Sequence, residues 1–279
     1  MELNVLRRQR DVISLEAVSG EAAFKQAITR LPDFFAGLKA SFSKSLLQPV
    51  TNFFAAKDLL SFARRISMVK YSDMRQLEAF VPQGLTTDLL SYGQSLEKGT
   101  KAAEELVKDV LEPFVAWLGE KLGNPSSLAS VVSTLEIKGY KGHDLDKLNA
   151  LIADSFATAG RRESTVPYGQ AIRRNGDWLE IAKLANSLDV NFTKQFHAKV
   201  QDLMHEAETR LGLLIERIEK EPEHYKLSNA TIQQLSNAAF QVAAELEFYG
   251  LLRFRIDEYA QSIKMNVDKF HAYSLNQAA

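Results

Sequence analysis

The sequence contains no cysteine among its 279 residues. Disulfide bonds, thiolate zinc sites and iron–sulfur clusters are therefore excluded. Proline and glycine are scarce, with 7 and 14 residues, which predicts few loops. No apolar run approaches the ~18 to 20 residues of a membrane span, and the N-terminus lacks the apolar stretch of a signal peptide. We therefore expect a chain that is cytoplasmic where it is made.

An excess of either charge is also missing. Thirty-four basic residues face 35 acidic ones, so the formal net charge is −1 and nothing global attracts nucleic acid. Two arginine pairs, Arg161–Arg162 and Arg173–Arg174, flank the predicted loop at 160–176. These four arginines are candidate interface residues. Ion pairs within the chain or a protein contact fit the balanced charge better than phosphate binding.

Helical periodicity dominates what the sequence does contain. Large apolar residues recur every three or four positions, and very little alternates with the period of two that a strand requires. The fold class is therefore all-α, as a helical bundle. The predicted helices before residue 177 cover 21–30, 33–54, 58–68, 73–80, 88–97, 100–123, 126–137 and 144–159. Lys98 and Gly99 are expected to separate two of these helices, and Pro113 is expected to kink or shorten the second.

The C-terminal third predicts an antiparallel hairpin. A helix covers 177–188, a longer helix capped by Asp189 runs to Pro222, and the last helix begins after Ser228 and spans roughly 60 Å. The short connection before Ser228 favours a coiled-coil-like hairpin. This pattern divides the chain into an N-terminal arm (1–20), a helical domain (21–176) and a hairpin domain (177–279).

The last helix has a nearly heptad seam that outruns its predicted partner. The seam comprises Ile232, Leu235, Ala239, Val242, Leu246, Tyr249, Leu252, Ile256, Tyr259, Ile263, Val267 and Phe270. Beyond about residue 260 the partner helix has ended. Ile263, Val267 and Phe270 must then rest on helix 177–188, on the N-terminal half or on another subunit, and we take them as candidate interface residues.

A second candidate interface is the aromatic stripe of the predicted helix 33–54. Phe34, Phe35 and Phe42 share its apolar face. This stripe predicts a core helix in the first place, and contact with a membrane surface or a protein partner in the second. Two lysines against one aspartate supply little charge for binding anionic lipid.

Residues for catalysis or metal binding form no convincing pattern. Acid-x-x-His occurs three times, and such a pair shares one helix face in di-iron bundles. The three pairs are Asp202 with His205, Glu221 with His224, and Asp268 with His271. They are far apart along the predicted helices, which favours solvated polar faces. Nucleophile elbows, phosphate loops and spaced carboxylate pairs are absent from the sequence. We expect no enzyme, no cofactor, no bound metal and no small-molecule substrate.

The segments ISLEAV, LPDFFAGL, EAFVPQGLTTDLLSYGQSLEKG and RRNGDW resemble helical virion structural proteins of large tailed bacteriophages. The resemblance spans residues 10–190. It implies an internal-head, neck or tail component that has no active site, that contacts other virion proteins or copies of itself, and that assembles in the host cytoplasm. It defines no site residues, so none is carried over.

Together these observations predict a non-enzymatic virion protein that acts through protein–protein contacts. The alternative is a cytoplasmic helical-bundle adaptor that binds a protein partner or a membrane surface through residues 33–54. A helical metalloenzyme is a third and weaker alternative.

Overall fold

The computed structural model describes residues 56–82, 85, 87–123, 164–220 and 229–276. Helices account for most of these residues, which confirms the all-α class. The helices are α1 (Ala56–Ile66), α2 (Tyr71–Met74), α3 (Leu89–Leu106), α4 (Glu112–Gly123), α5 (Tyr168–Ala171), α6 (Asp177–Ser187), α7 (His197–Lys220) and α8 (Asn229–Asn276). Two π-helical segments, π1 (Val107–Leu111) and π2 (Leu188–Phe196), connect α3 to α4 and α6 to α7.

The described residues fall into two compact units. Unit 1 contains 103–123, 198–220 and 229–250. Unit 2 contains 56–82, 85, 87–102, 164–197 and 251–276. The three domains expected from the sequence stay a prediction.

A two-stranded antiparallel sheet in unit 2 was not foreseen. Strand β1 (Glu78–Val81) pairs with β2 (Ser164–Pro167), with Glu78 opposite Pro167 and Val81 opposite Ser164. The predicted helix 73–80 is therefore wrong, because helix ends at Met74 and strand follows. The predicted loop 160–176 is also wrong in part, because it supplies β2 and α5. Each strand has only four residues, too few for local periodicity to reveal.

Asn266 of α8 closes the open edge of β1. Its Oδ1 accepts from the Phe80 amide at 2.8 Å, and its Nδ2 donates to the Phe80 carbonyl at 2.7 Å. The side-chain amide thus takes the place of a third strand. Asn266 is fully buried, so this contact fixes the C-terminal turns of α8 against the sheet.

Helix α3 runs through Lys98 and Gly99, where the sequence predicted a break. A Cβ at Gly99 would lie 3.0 Å from Leu252 Cδ1, so glycine at this position permits close packing and does not end the helix. Thr100 donates its hydroxyl proton to the Glu97 carbonyl at 2.8 Å and opens no new helix. Helix α3 begins further upstream, where Asp88 caps it: the Asp88 Oδ1 accepts from the Ser91 amide at 2.9 Å.

Both π segments replace a predicted interruption. π1 ends two residues before Pro113, which lacks an amide proton and would crowd the carbonyl four residues upstream in a regular α-helix. The wider π turn lets the helix continue into α4. π2 carries the chain from α6 into α7 without the cap expected at Asp189. Asp189 is buried and accepts from Lys194 Nζ at 2.7 Å.

The core of unit 2 lies where α1 packs against α6. The rings of Phe62 and Trp178 meet edge to face with centroids 5.2 Å apart, and both side chains are fully buried. In unit 1, Arg210 reaches from α7 to the Val115 carbonyl at 2.6 Å, and Lys199 lies 2.5 Å from Glu112.

Helix α8 is continuous for 48 residues and begins one residue after Ser228, as predicted. Every seam residue whose side chain is described is buried: Val242, Tyr249, Leu252, Ile256, Tyr259, Ile263, Val267 and Phe270. The connection at 221–228 lies outside the described residues. The antiparallel hairpin therefore stays a prediction.

Candidate functional site

The candidate interface residues of the sequence fall into three groups. Phe34, Phe35, Phe42, Arg161 and Arg162 lie outside the described residues. Arg173 and Arg174 lie on the surface of unit 2. Ile263, Val267 and Phe270 lie in its core. The described members of the set therefore lie in two different places, and the set as a whole stays a prediction.

Arg173 and Arg174 have partners within their own unit. Arg173 lies 2.7 Å from Asp88, and Arg174 lies 3.2 Å from Asp177. Both arginine side chains are largely exposed, at 71% and 83%, whereas both carboxylates are buried. Burial alone would raise the pKa of Asp88, but hydrogen bonds from Ser91 and the Arg173 guanidinium lower it overall. These arginines neutralise carboxylates at the two helix starts.

The apolar end of α8 is covered by its own chain. Ile263, Val267 and Phe270 are 1%, 6% and 1% exposed. The Phe270 ring meets Tyr168 edge to face, with centroids 5.3 Å apart. Of the three resting places that the sequence allowed, the structure uses the N-terminal half. Their choice as interface residues is corrected, because these side chains are buried and Phe80 of β1 and Tyr168 of α5 contact this end of the helix.

The acid-x-x-His pairs gather no third ligand. Asp202, His205, Asp268 and His271 are all exposed, and Glu221 and His224 lie outside the described residues. Within the described ranges, no three His, Asp or Glu side chains are placed to hold a metal ion. In the same part of the chain, no helix combines the length and apolar character needed to cross a membrane.

A fully hydrogen-bonded network surrounds Tyr168, and we call Tyr168, Asn175 and Trp178 the paired network. Trp178 Nε1 donates to the Tyr168 hydroxyl at 2.9 Å, which donates to Asn175 Oδ1 at 2.8 Å. Asn175 Nδ2 continues to the Val69 carbonyl at 2.7 Å. Burial raises the pKa of Tyr168, so the phenol stays protonated and keeps donating. The network fixes the turn before α6 against the turn after α1.

A second polar region of unit 2 has the opposite character. Six buried side-chain nitrogen or oxygen atoms in the described residues have no hydrogen-bond partner, and five of them belong to three residues of α8. These are all three guanidinium nitrogens of Arg253, Oδ1 of Asp257 and the hydroxyl of Tyr259. We call these three residues the unpaired cluster. They occupy two helical turns, and Arg253 is only 2% exposed.

The charges of the unpaired cluster act on one another and on His197. Burial raises the pKa of Asp257 to about 6, although the Arg253 guanidinium partly opposes this rise. Burial and the same guanidinium together lower the pKa of His197 to about 4. His197 is thus neutral at pH 7, and Asp257 is ionised at a cost. The arginine stays charged under all ordinary conditions.

Arg255, two residues along α8, provides a contrast on the same helix. It is 4% exposed, and its guanidinium donates to Glu258 at 2.7 Å. Tyr92 of α3 lies near this pair, and burial raises the pKa of its phenol to about 12 while Arg255 partly opposes the rise. Arg253 and Arg255 are therefore similarly buried, but only Arg255 has a hydrogen-bond partner among the described residues.

One open pocket lies between α3 and α6 in unit 2 and measures about 310 Å³. It is lined by Gln94, Glu97, Glu180, Lys183, Leu184 and Ser187. No general base, nucleophile and oxyanion donor converge in this lining, and the pocket therefore assembles no catalytic geometry.

Sequence reasoning missed the unpaired cluster. The seam argument placed Leu252, Ile256 and Tyr259 inside and left Arg253 and Asp257 on the outer faces. The apolar residues at 248, 251, 252 and 254 widen the apolar face of α8, but none of them lies on the face of Arg253 and Asp257, so the sequence carried no signal for the burial of these two side chains.

Comparison with protein-family models, with curated proteins and with solved structures finds no match to this chain.

Proposed function

We propose that this chain is a non-enzymatic structural protein of a phage virion, in the internal head, neck or tail, and that it acts through contacts with other virion proteins or with copies of itself. The resemblance of residues 10–190 to such proteins supports the virion role. Helix α8 supports the structural role, and it is the observation that carries the proposal.

Helix α8 is long, and its C-terminal end is anchored. It extends without interruption for 48 residues. Its C-terminal turns are held by the Asn266 contacts to Phe80 and by the ring contact of Phe270 with Tyr168. A long helix with an anchored end suits a protein that acts through contacts with other proteins.

The polar pairings of unit 2 also favour a structural role. Those of the paired network are committed to one another and to backbone atoms. Arg173 and Arg174 pair with carboxylates of their own unit. Such side chains stabilise the fold and leave no nucleophile beside a base.

Copy number tests the proposal directly. Quantitative mass spectrometry of particles purified from the source should find the chain at a fixed number of copies per particle. Light scattering after size-exclusion chromatography on the pure chain then separates self-association from binding to other proteins. Absence of the chain from purified particles would overturn the virion role.

The adaptor alternative makes a different prediction. The phenylalanine stripe of residues 33–54 should then carry the chain to the top of a density gradient with anionic liposomes. Replacing Phe34, Phe35 and Phe42 by serine should abolish flotation. A virion protein should remain at the bottom of the gradient with and without these changes.

A further inference from the structure

We propose that the unpaired cluster is a release element, a short stretch of α8 over Arg253–Tyr259 that opens before the rest of unit 2 and exposes the apolar face behind it. It is a property of unit 2 alone and stands whether or not the chain assembles with partners.

Burial of the Arg253 guanidinium costs free energy. Arg253 is 2% exposed, and none of its three nitrogens has a hydrogen-bond partner among the described residues. Arginine does not lose its proton in proteins, so it cannot lower this cost by becoming neutral. A charge taken out of water without compensating hydrogen bonds is strongly unfavourable. Any motion that lets water reach the guanidinium recovers part of that free energy.

Asp257 is not a sufficient counterion for the Arg253 guanidinium. It lies one turn after Arg253, but its Oδ1 is itself buried and unpartnered. A carboxylate well paired with a guanidinium has a lowered pKa. The pKa of Asp257 is raised, because burial outweighs the attraction of Arg253. The carboxylate is therefore a second desolvated charge and adds to the cost.

Among the residues that the structure describes, the groups around the cluster offer no further compensation. His197, which begins α7, acts on Arg253 and is kept neutral by its lowered pKa. On α8 itself, Arg255 is engaged by Glu258. From α3, Asp88 and Tyr92 act on Tyr259, but its hydroxyl has no partner. Gly93 contacts that hydroxyl closely, and a Cβ there would overlap it. The three residues are thus closely packed, but their buried polar atoms lack hydrogen bonds.

The consequence of opening follows from what lies beside the cluster. Leu252, Ile256 and Ile263 are each no more than 1% exposed. A local opening over Arg253–Tyr259 would carry Leu252 and Ile256 into water together with the charges. Ile256 belongs to the seam of α8, which is buried in the folded unit. The release element would make that part of the seam accessible, whereas the candidate interface residues Ile263, Val267 and Phe270 lie beyond it.

Hydrogen–deuterium exchange on the whole chain at pH 7.5 tests the release element. Amides of α8 over 253–259 should exchange faster than those over 260–267, although the second stretch includes the exposed residues Gln261 and Lys264. Exchange of the first stretch should not depend on low concentrations of urea, which is the behaviour of local opening. Equal protection of the two stretches would overturn the proposal.

A pair of variants then assigns the cause. Arg253→Met keeps the length of the side chain and removes the charge. We expect it to slow exchange over 253–259 by roughly tenfold and to raise the melting temperature. The matched control, Arg255→Met, leaves Glu258 without its partner and should lower the melting temperature. If Arg253→Met lowers the melting temperature as well, or leaves exchange over 253–259 unchanged, the charge does not drive opening and the proposal fails.

Discussion

Unit 2 buries two polar regions of similar size, and they differ in one respect. In the paired network, each hydrogen-bonding side-chain group of Tyr168, Asn175 and Trp178 has a partner within 2.9 Å. In the unpaired cluster, five buried atoms have none. Both regions lie among aromatic side chains in the same core. The comparison teaches that burial alone does not say whether a polar residue stabilises a fold, since the hydrogen bonds decide it.

The two regions also differ in the elements that carry them. The paired network joins α5, the turn before α6 and the turn after α1. Turns can adjust their backbone until donors meet acceptors. The unpaired cluster lies on three positions of one regular helix, whose backbone is fixed by its own hydrogen bonds. The side chains of α8 therefore start from fixed directions, and pairing depends on what each one meets: Arg255 meets Glu258, whereas Arg253 has no hydrogen-bond partner among the described residues.

The largest expected effect comes from breaking the paired network with Tyr168→Phe. Removing the hydroxyl leaves the Trp178 indole nitrogen and Asn175 Oδ1 without partners in the interior. Each orphaned group costs ~1–3 kcal/mol, so we expect a loss of ~2–6 kcal/mol from the free energy of unfolding.

Urea unfolding followed by Trp178 fluorescence measures this loss. A Trp117→Phe background removes the second tryptophan, which lies in unit 1. Tyr71→Phe is the matched control, because it deletes one hydroxyl bond, to the Ile172 carbonyl, and should cost only ~1 kcal/mol. Equal losses for the two variants would mean that the paired network stabilises the fold no more than a single hydrogen bond does.

A smaller effect is expected where α3 meets the unpaired cluster, with Gly93→Ala. The new Cβ would overlap the Tyr259 hydroxyl and lie 2.8 Å from its ring carbon Cζ, so the ring must shift. Overpacking of this kind costs ~1–3 kcal/mol, which the helix preference of alanine offsets by up to ~1 kcal/mol.

Gly212→Ala provides the control for Gly93→Ala. A Cβ at Gly212, within α7, would meet nothing within 4 Å. This change should therefore stabilise the chain by up to ~1 kcal/mol. Thermal unfolding of both variants gives the comparison, and a stabilising Gly93→Ala would show that the close contact has room to relax.

The next effect is a pH dependence of the free energy of unfolding, in which the contributions of Asp257 and His197 partly cancel. The pKa of Asp257 in the folded chain is about 6, above its ordinary value of 3.8, so its contribution to stability is lost as pH rises through 6. The pKa of His197 is about 4, below its ordinary 6.5, so its contribution is lost as pH falls from 6.5 to 4. Between pH 4 and 6 the two slopes oppose each other.

Single substitutions should reveal each slope. Asp257→Asn leaves the histidine slope, and the variant should lose stability as pH falls from 6.5 to 4. His197→Gln leaves the aspartate slope, and this variant should gain stability over the same range. Each change amounts to ~1–2 kcal/mol after allowance for partial solvent screening. Urea midpoints at four pH values measure it, and parallel pH profiles for the two variants would contradict the assignment.

The sequence predicts much of what surrounds both regions. The period of three to four residues gives the all-α class, and the seam gives the buried face of α8 from Val242 to Phe270. Ser228 marks the beginning of α8 to within one residue. These features depend on spacing within one element, which a sequence shows directly.

The features that the sequence does not predict depend on distant partners. Strands β1 and β2 are more than 80 residues apart, and neither has enough residues to alternate visibly. Gly99 resembles a helix end until Leu252 is seen beside it. Arg253 and Arg255 are both charged residues of one helix, and only the position of Glu258 and the packing on several faces separate a paired from an unpaired side chain.

The smallest effect is expected for Tyr259→Phe. This variant compares the two polar regions most directly, because the chemical change is the same as in Tyr168→Phe. Tyr259→Phe removes a hydroxyl that is buried without a partner, so no donor or acceptor is orphaned. Deleting an unsatisfied polar atom from a core is neutral or favourable, and we expect a gain of between zero and ~1 kcal/mol. Urea unfolding in the Trp117→Phe background places this variant on the same scale as Tyr168→Phe. A loss similar to that of Tyr168→Phe would show that the Tyr259 hydroxyl is satisfied in solution, and the contrast between the two regions would then rest on Arg253 and Asp257 alone.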